Sequence, residues 1–441
     1  MRWLKRAGRG VVVLVLVVVA AWAASRLRGP TPSQRAAFEV MQAPLQFAGR
    51  NAFDAIWVLP YDVPDAALSA VADADIAAAA AIPLRRPVDG PGEPRSHYRD
   101  LRPVSAGLRP CSSAGTPCLA VVREDLAGHA ALVERNRRLI ERVEALAQYD
   151  HLANRMPARA DASVPPFQYL VWPLTAHAVA FAQGHREAAL EATCRDLATM
   201  RRLGTGTDLL IASSVMSRLA TDGYGRLLVD MLGELPQDAP MPDSCVAALR
   251  APSADEASVC SAMRGEFRWV RRATDSMAVE DQGRPMRWLL FDQDGFEAMS
   301  AEQLGQACSA DTQAALREDR RVAFQTPRPF YLRFECIANS AGCMLADIAA
   351  PAYVPYVRGG QDHHARLQLI ATLAWLRTQD TAVTLAERLA RRPPDLRSPA
   401  RDITVSADGR SLQIAQYDTR CGDVWSLPLP PYLIESPDAA D

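Results

Sequence analysis

Residues 132–147 read LVERNRRLIERVEALA. Leu132, Val133, Asn136, Leu139, Ile140, Val143, Leu146 and Ala147 recur at three- and four-residue spacings, which gathers them into one stripe of a 3.6-residue helix. Glu134, Arg135, Arg137, Arg138, Glu141 and Arg142 fall on the opposite face. The stretch predicts an amphipathic helix with a buried stripe, and it sets the class of the chain as mainly α.

The helical period continues beyond it. Helices are predicted over 168–183, 185–203 and 208–235, with a turn at Gly184. The segment AFAQGHREAALEATCRDLATMRRL, 180–203, resembles one helix-turn-helix unit of a tetratricopeptide repeat. The resemblance covers about thirty residues and finds no second copy at the 34-residue period of such repeats. A solenoid needs at least three units to bury its faces, so an ordinary antiparallel helix hairpin is expected.

Toward the C-terminus a helix is predicted from Asp362 to about residue 377, and a shorter one over 381–391. The period then changes. In ITVSADGRSLQIAQY, 403–417, Asp408-Gly409 separates two alternating runs, which is a strong local signal for a β-hairpin. Ile403 and Val405 face one side with Leu412 and Ile414 opposite, and residues 424–429 supply a candidate third strand. Four segments result: 1–29, a tail and anchor; 30–122, Pro-rich and packed on the body; 123–360, a helical body of antiparallel hairpins; and 361–441, a helix followed by a small antiparallel β element.

The first segment fixes the expected address. Arg2, Lys5, Arg6 and Arg9 precede an uncharged run from Val11 to Ser25, and Arg26 and Arg28 close it. A basic segment followed by an apolar run is a signal or an anchor. Trp3 and Trp22 stand where interfacial aromatics would. Ala21-Trp22-Ala23 offers a cleavage pattern, but the Val-rich run holds no Gly or Pro before it, which favours an uncleaved anchor. The basic flank places the N-terminus in the cytoplasm of a bacterium, residues 10–25 in the inner membrane and the body in the periplasm.

Charge excludes one class of partner. A net charge of -2 over 441 residues gives no concentrated basic surface for nucleic acid, although 49 residues are basic and only Lys5 among them is lysine. A partner protein of the envelope is compatible with this surface.

Nine cysteines in an exported chain read as disulfides. CSSAGTPC and CIANSAGC each place two cysteines six residues apart, and Cys111–Cys118 and Cys336–Cys343 are expected as local staples worth about 2–3 kcal/mol each. Redox chemistry would use C-x-x-C, and zinc would use two such pairs or nearby histidines. Cys245 and Cys260 are the candidate third bridge. Cys194 is expected as an unpaired core thiol, and Cys308 with Cys421 as a long-range pair.

No catalytic signature accompanies these features. The chain has no G-x-S-x-G elbow, S-x-x-K, H-E-x-x-H, P-loop or Rossmann glycine pattern. FDQDGFE, 291–297, approximates a calcium loop, but Leu290 stands where the first acidic ligand belongs. In DHHARL, 362–367, adjacent helical residues point about 100° apart, so His363 and His364 do not share a metal. Asp362 is expected as a helix N-cap and the rings as solvent-exposed. The serines of SSVMSRL, 213–219, are expected to let helices approach closely. Asp54, Asp62, Glu266 and Asp292 are the carboxylates available to a glycosidase pair, with nothing in the linear sequence to join them. No catalytic, cofactor-binding or metal-binding residue is therefore assigned. The expected function is a non-catalytic, membrane-anchored envelope protein with a binding or structural role. The alternatives are an envelope hydrolase acting on peptidoglycan or polysaccharide, and a periplasmic inhibitor or immunity protein against a secreted toxin.

Overall fold

The stripe of residues 132–147 is buried, though not on one helix. In the computed structural model, which describes residues 2–82, 94, 96–105, 107–113, 115–159, 162–280, 285–380 and 382–434, it spans helices Leu126–Arg135 and Arg137–Glu144 and a 3-10 turn Ala145–Gln148. The break falls at Asn136. Its buried side chain accepts a hydrogen bond from the Val104 amide and donates to the Leu132 carbonyl, so a polar group inside the stripe joins the preceding segment to the helix pair. Leu132, Leu139, Ile140, Val143 and Leu146 are all under 5% exposed.

These residues pack into the largest core, with helices Trp172–Ala182 and Arg186–Thr205 forming the antiparallel hairpin beside them. The Pro-rich segment contributes to this core through Phe53, Ile56 and Trp57, each at most 1% exposed. A fully buried aromatic or large aliphatic side chain contributes about 1.5–3 kcal/mol of transfer free energy, so this segment is part of the fold.

The predicted helix over 208–235 is three pieces: Leu210–Arg218, a π turn Leu219–Gly225, and Arg226–Glu234. The predicted start at Asp362 is corrected by a single helix, Ser340–Leu376, that runs through Pro351 and Pro355. Each proline removes an amide donor from the helical ladder, which is why sequence places a break there. The helix continues because its buried half is anchored in two cores, through Val357 in one and Ala365, Leu369, Ile370 and Leu373 in another.

A three-stranded antiparallel sheet follows, β1 Ile403–Val405, β2 Ser411–Ala415 and β3 Val424–Pro428, in the order β1-β2-β3. Ile403 pairs with Ile414 and Val405 with Leu412. Leu412, Ile414, Trp425 and Leu427 bury one face against the long helix.

Four disulfides are present among the described residues. Cys111–Cys118 and Cys336–Cys343 are local. The other two differ from the expected pairing: Cys245 is bonded to Cys194, which is therefore not a free thiol, and Cys260 is bonded to Cys308. Cys308 is thus unavailable to Cys421, whose side chain lies outside the described residues. The long-range bridges span 51 and 48 residues, and a loop of that length contributes about 4 kcal/mol in a chain-entropy model.

Among the described residues one helix, Arg6–Leu27, is long and apolar enough to cross a bilayer, with mean hydropathy 2.3. Val11 to Val19 project from the body, all more than half exposed, while Ser25 at its far end is buried.

Candidate functional site

On the helix Leu210–Arg218, Ser217 stands four residues from Ser213 and three from Ser214, so its hydroxyl neighbours both. The long helix crosses opposite them. Gly360 lets the long helix pack close to the short helix Ala254–Ala257, since a Cβ there would collide with the Ala257 carbonyl oxygen. Between the long helix and the serine-bearing helix lies a cavity of about 400 Å³. Its walls carry the three serines, Thr221, Tyr356, His363 and the guanidinium groups of Arg218, Arg366 and Arg420. SSVMSRL and DHHARL, far apart in the chain, thus meet at one place.

The π turn holds the site together. Its Asp222 accepts hydrogen bonds from Arg366 of the long helix at 2.8 Å and from Trp425 of β3 at 2.7 Å. Gly225 lets the turn close on the long helix, because a Cβ there would sit 2.5 Å from the Ile370 side chain. Such insertions recur at functional sites because the extra residue re-aims neighbouring side chains.

His363 corrects the expectation of an exposed ring. It is 5% exposed, and neither ring nitrogen has a hydrogen-bond partner among the described residues; Nδ1 is fully sealed from solvent. Burial, then repulsion from Arg201, pushes its pKa down to about 3, so the ring is neutral at physiological pH. The hydroxyls of Ser213, Ser214 and Ser217 likewise have no hydrogen-bond partner among the described residues.

The carboxylates on the wall are engaged. Asp362 is no N-cap: it lies inside the helix, pairs with Arg401 and accepts from the amides of Tyr417 and Asp418. Asp418 is bonded to Arg420 at 2.7 Å. His364 contacts the Ser253 carbonyl oxygen at 3.2 Å through Nδ1. The cavity therefore offers hydroxyls, a neutral imidazole and guanidinium groups that are themselves engaged, Arg366 with Asp222 and Gln416 and Arg420 with Asp418, with no free carboxylate on its wall among the described residues. That set suits a polar ligand with an anionic group.

The four dispersed carboxylates stay with separate partners: Asp54 with Arg155 and Ser69, Asp62 with Arg99 and Arg138, Glu266 with Tyr353, and Asp292 with Arg26. A second cluster was invisible in sequence. Glu144, His177 and Asp196, from three helices, place their ligand atoms within 4.8 Å of one another. His177 Nε2 is 2.8 Å from Asp196 Oδ2, and its Nδ1 is 3.9 Å from Glu144 Oε1. One imidazole and two carboxylates are donors a divalent cation accepts. The same groups also satisfy one another, and burial raises the Glu144 pKa, which disfavours the charged ligand form. No spacing rule links residues on three helices, so only the folded chain assembles them.

No protein-family model, no curated protein and no solved structure matches the chain.

Proposed function

We propose that this chain is a membrane-anchored binding protein of a bacterial envelope. Residues 10–25 span the inner membrane with the N-terminus in the cytoplasm, and the periplasmic body holds a small hydroxyl-rich ligand bearing an anionic group. The observation that carries the reading is one cavity wall on which the hydroxyls of Ser213, Ser214 and Ser217 stand beside His363 with no hydrogen-bond partner among the described residues. Polar groups that line a cavity without protein partners are met by water, and a ligand that reproduces those hydrogen bonds replaces it.

Four disulfides support an oxidising compartment. Retention of the N-terminal helix is supported by its own contacts. Trp22 donates to the Leu289 carbonyl and Ser25 accepts from the Ala338 amide, so a cut after Ala23 would remove one and free the other. Binding is favoured over catalysis because both wall carboxylates are engaged and a ring with a pKa near 3 is a weak base.

The test is thermal unfolding of the full chain in lipid nanodiscs with glucuronic acid, N-acetylmuramic acid or neutral glucose. The acids are expected to raise the unfolding temperature in a concentration-dependent way, and Ser217→Phe, which fills the cavity, to abolish the shift. No shift with either acid would overturn the ligand class. Turnover of peptidoglycan or polysaccharide that is lost in Ser217→Phe would instead establish the hydrolase.

A further inference from the structure

Large apolar side chains left in solvent are unevenly placed on this body. Outside the N-terminal helix, sixteen described ones are exposed, and nine of them lie between residues 288 and 348. They include Trp288, Leu290, Leu332, Phe334, Leu345 and Ile348, with Leu332 66% and Ile348 70% exposed. Scattered exposed leucines are ordinary, but a contiguous group of this size marks an interaction surface.

The group is contiguous because its three segments touch. The helix Pro285–Leu290 and the turns Phe330–Leu332 and Phe334–Cys336 all pack against the long helix near its start. Leu345 and Ile348 are three residues apart and share a face of that helix. The Cys336–Cys343 disulfide closes the loop between the last turn and the helix, so the apolar residues on both sides of it are held in one surface.

What covers this surface is indicated by the element that emerges from it. The C-terminal turn of the apolar N-terminal helix is bound into the same patch. Trp22 stacks edge-on against Trp288 with centroids 5.1 Å apart. Arg26 donates to the Phe291 carbonyl at 2.9 Å, and Ser25 accepts from the Ala338 amide at 3.1 Å. Arg28 lies 5.8 Å from the Phe334 ring centroid. A helix crossing a bilayer and pinned here by its last turn sets the patch at the level where the span leaves the hydrocarbon. Trp, Tyr and Arg are the residues that such an interface favours.

We propose that residues 288–291, 330–337 and 344–352 form a membrane-interfacial face, in which Trp288, Leu332, Phe334, Leu345 and Ile348 enter the outer edge of the bilayer while the exposed Arg28 meets anionic headgroups. The body thereby rests on the membrane and does not swing on a tether. This inference depends on the N-terminal helix spanning the membrane, as proposed above, and its test separates the two.

A diazirine-bearing amino acid is placed singly at positions 15, 246, 332 and 345 of the full chain, reconstituted in vesicles of phosphatidylethanolamine and phosphatidylglycerol and photolysed. Val15 lies in the span, and Val246 is an exposed apolar residue on the body outside the patch. Lipid adducts are expected at 15, 332 and 345, with the last two in yield comparable to position 15 and position 246 at background. Adducts at 15 with background yield at 332 and 345 would overturn the interfacial face and leave the anchor intact. Adducts between copies of the chain at 332 and 345 in place of lipid would overturn it in favour of self-association. Background at position 15 would overturn the anchor, and the face with it.

Discussion

Asp362 and His363 are neighbours on one helix, both at most 5% exposed, and they have opposite surroundings. Behind Asp362 lies a closed polar knot. Arg401 directs its Nε and two amino groups at Asp319, Asp362 and the carbonyl oxygens of Gln361 and Ala415, so all five of its N–H groups have acceptors. Its guanidinium also stacks on Tyr417 at 3.9 Å from the ring centroid. In front of His363 lies the cavity, where the imidazole and three serine hydroxyls have no partner among the described residues. A satisfied buried network rigidifies a fold, and an unsatisfied one is either a defect or a receptor. The knot joins the long helix to β2 and the loop before β3 and so forms the back wall of the cavity. The two regions divide the work: the knot supplies rigidity and the cavity presents polar groups to what enters it.

The sharpest way to break this comparison is Arg401→Met. It leaves Asp319 and Asp362 buried without their cation, and removing one partner of a buried ion pair costs about 3–5 kcal/mol. Urea unfolding of the full chain measures the loss, and a change below about 1 kcal/mol would show that the knot is not structural, since that is the range of an exposed pair.

The next largest effect is read against pH. The His363 pKa is about 3 in the folded chain, below its ordinary value of 6.5, because burial and Arg201 disfavour the imidazolium. Arg366 also opposes the charge, while Glu256 favours it. The unfolded ring gains a proton below pH 6.5 and the folded ring does not. Stability from this group is therefore complete above that pH and is lost as pH falls toward 3. The loss approaches about 1.4 kcal/mol per pH unit, or about 2 kcal/mol between pH 6.5 and 5. His363→Gln should flatten that part of the profile relative to the unsubstituted chain. Parallel profiles would place the ring in water and show that it is not buried.

The two regions also differ in how far sequence reveals them. The amphipathic stripe, the Gly184 turn and the Asp408-Gly409 hairpin are legible because period and turn chemistry act over a few residues. Cysteines six residues apart can close a local loop and do so, whereas Cys194, Cys245, Cys260 and Cys308 carry no spacing that encodes their partners. The start of the long helix is not legible because Pro351, Pro355, Gly359 and Gly360 all weaken a local helix signal. Burial of Val357 and Ala365 in separate cores overrides them. The cavity was not legible at all. Its serines look like packing residues and its histidine looks like a cap neighbour until the π turn brings the two helices together through Asp222.

The smallest expected effect sharpens the comparison most. Ser217→Ala removes a hydroxyl that bonds nothing among the described residues, so it leaves no buried group unsatisfied. The backbone carbonyl of residue 217 still accepts from Thr221, and alanine is the better helix former by a few tenths of a kcal/mol. Stability should stay within about 0.5 kcal/mol of the unsubstituted chain, measured by the urea midpoint. The response to an acidic sugar should weaken in the same protein, because a ligand hydrogen bond is lost. A destabilisation above about 1 kcal/mol would mean that the hydroxyl has a structural partner after all. The cavity wall would then belong with the knot, and the distinction between the two faces of the helix would fail at that residue.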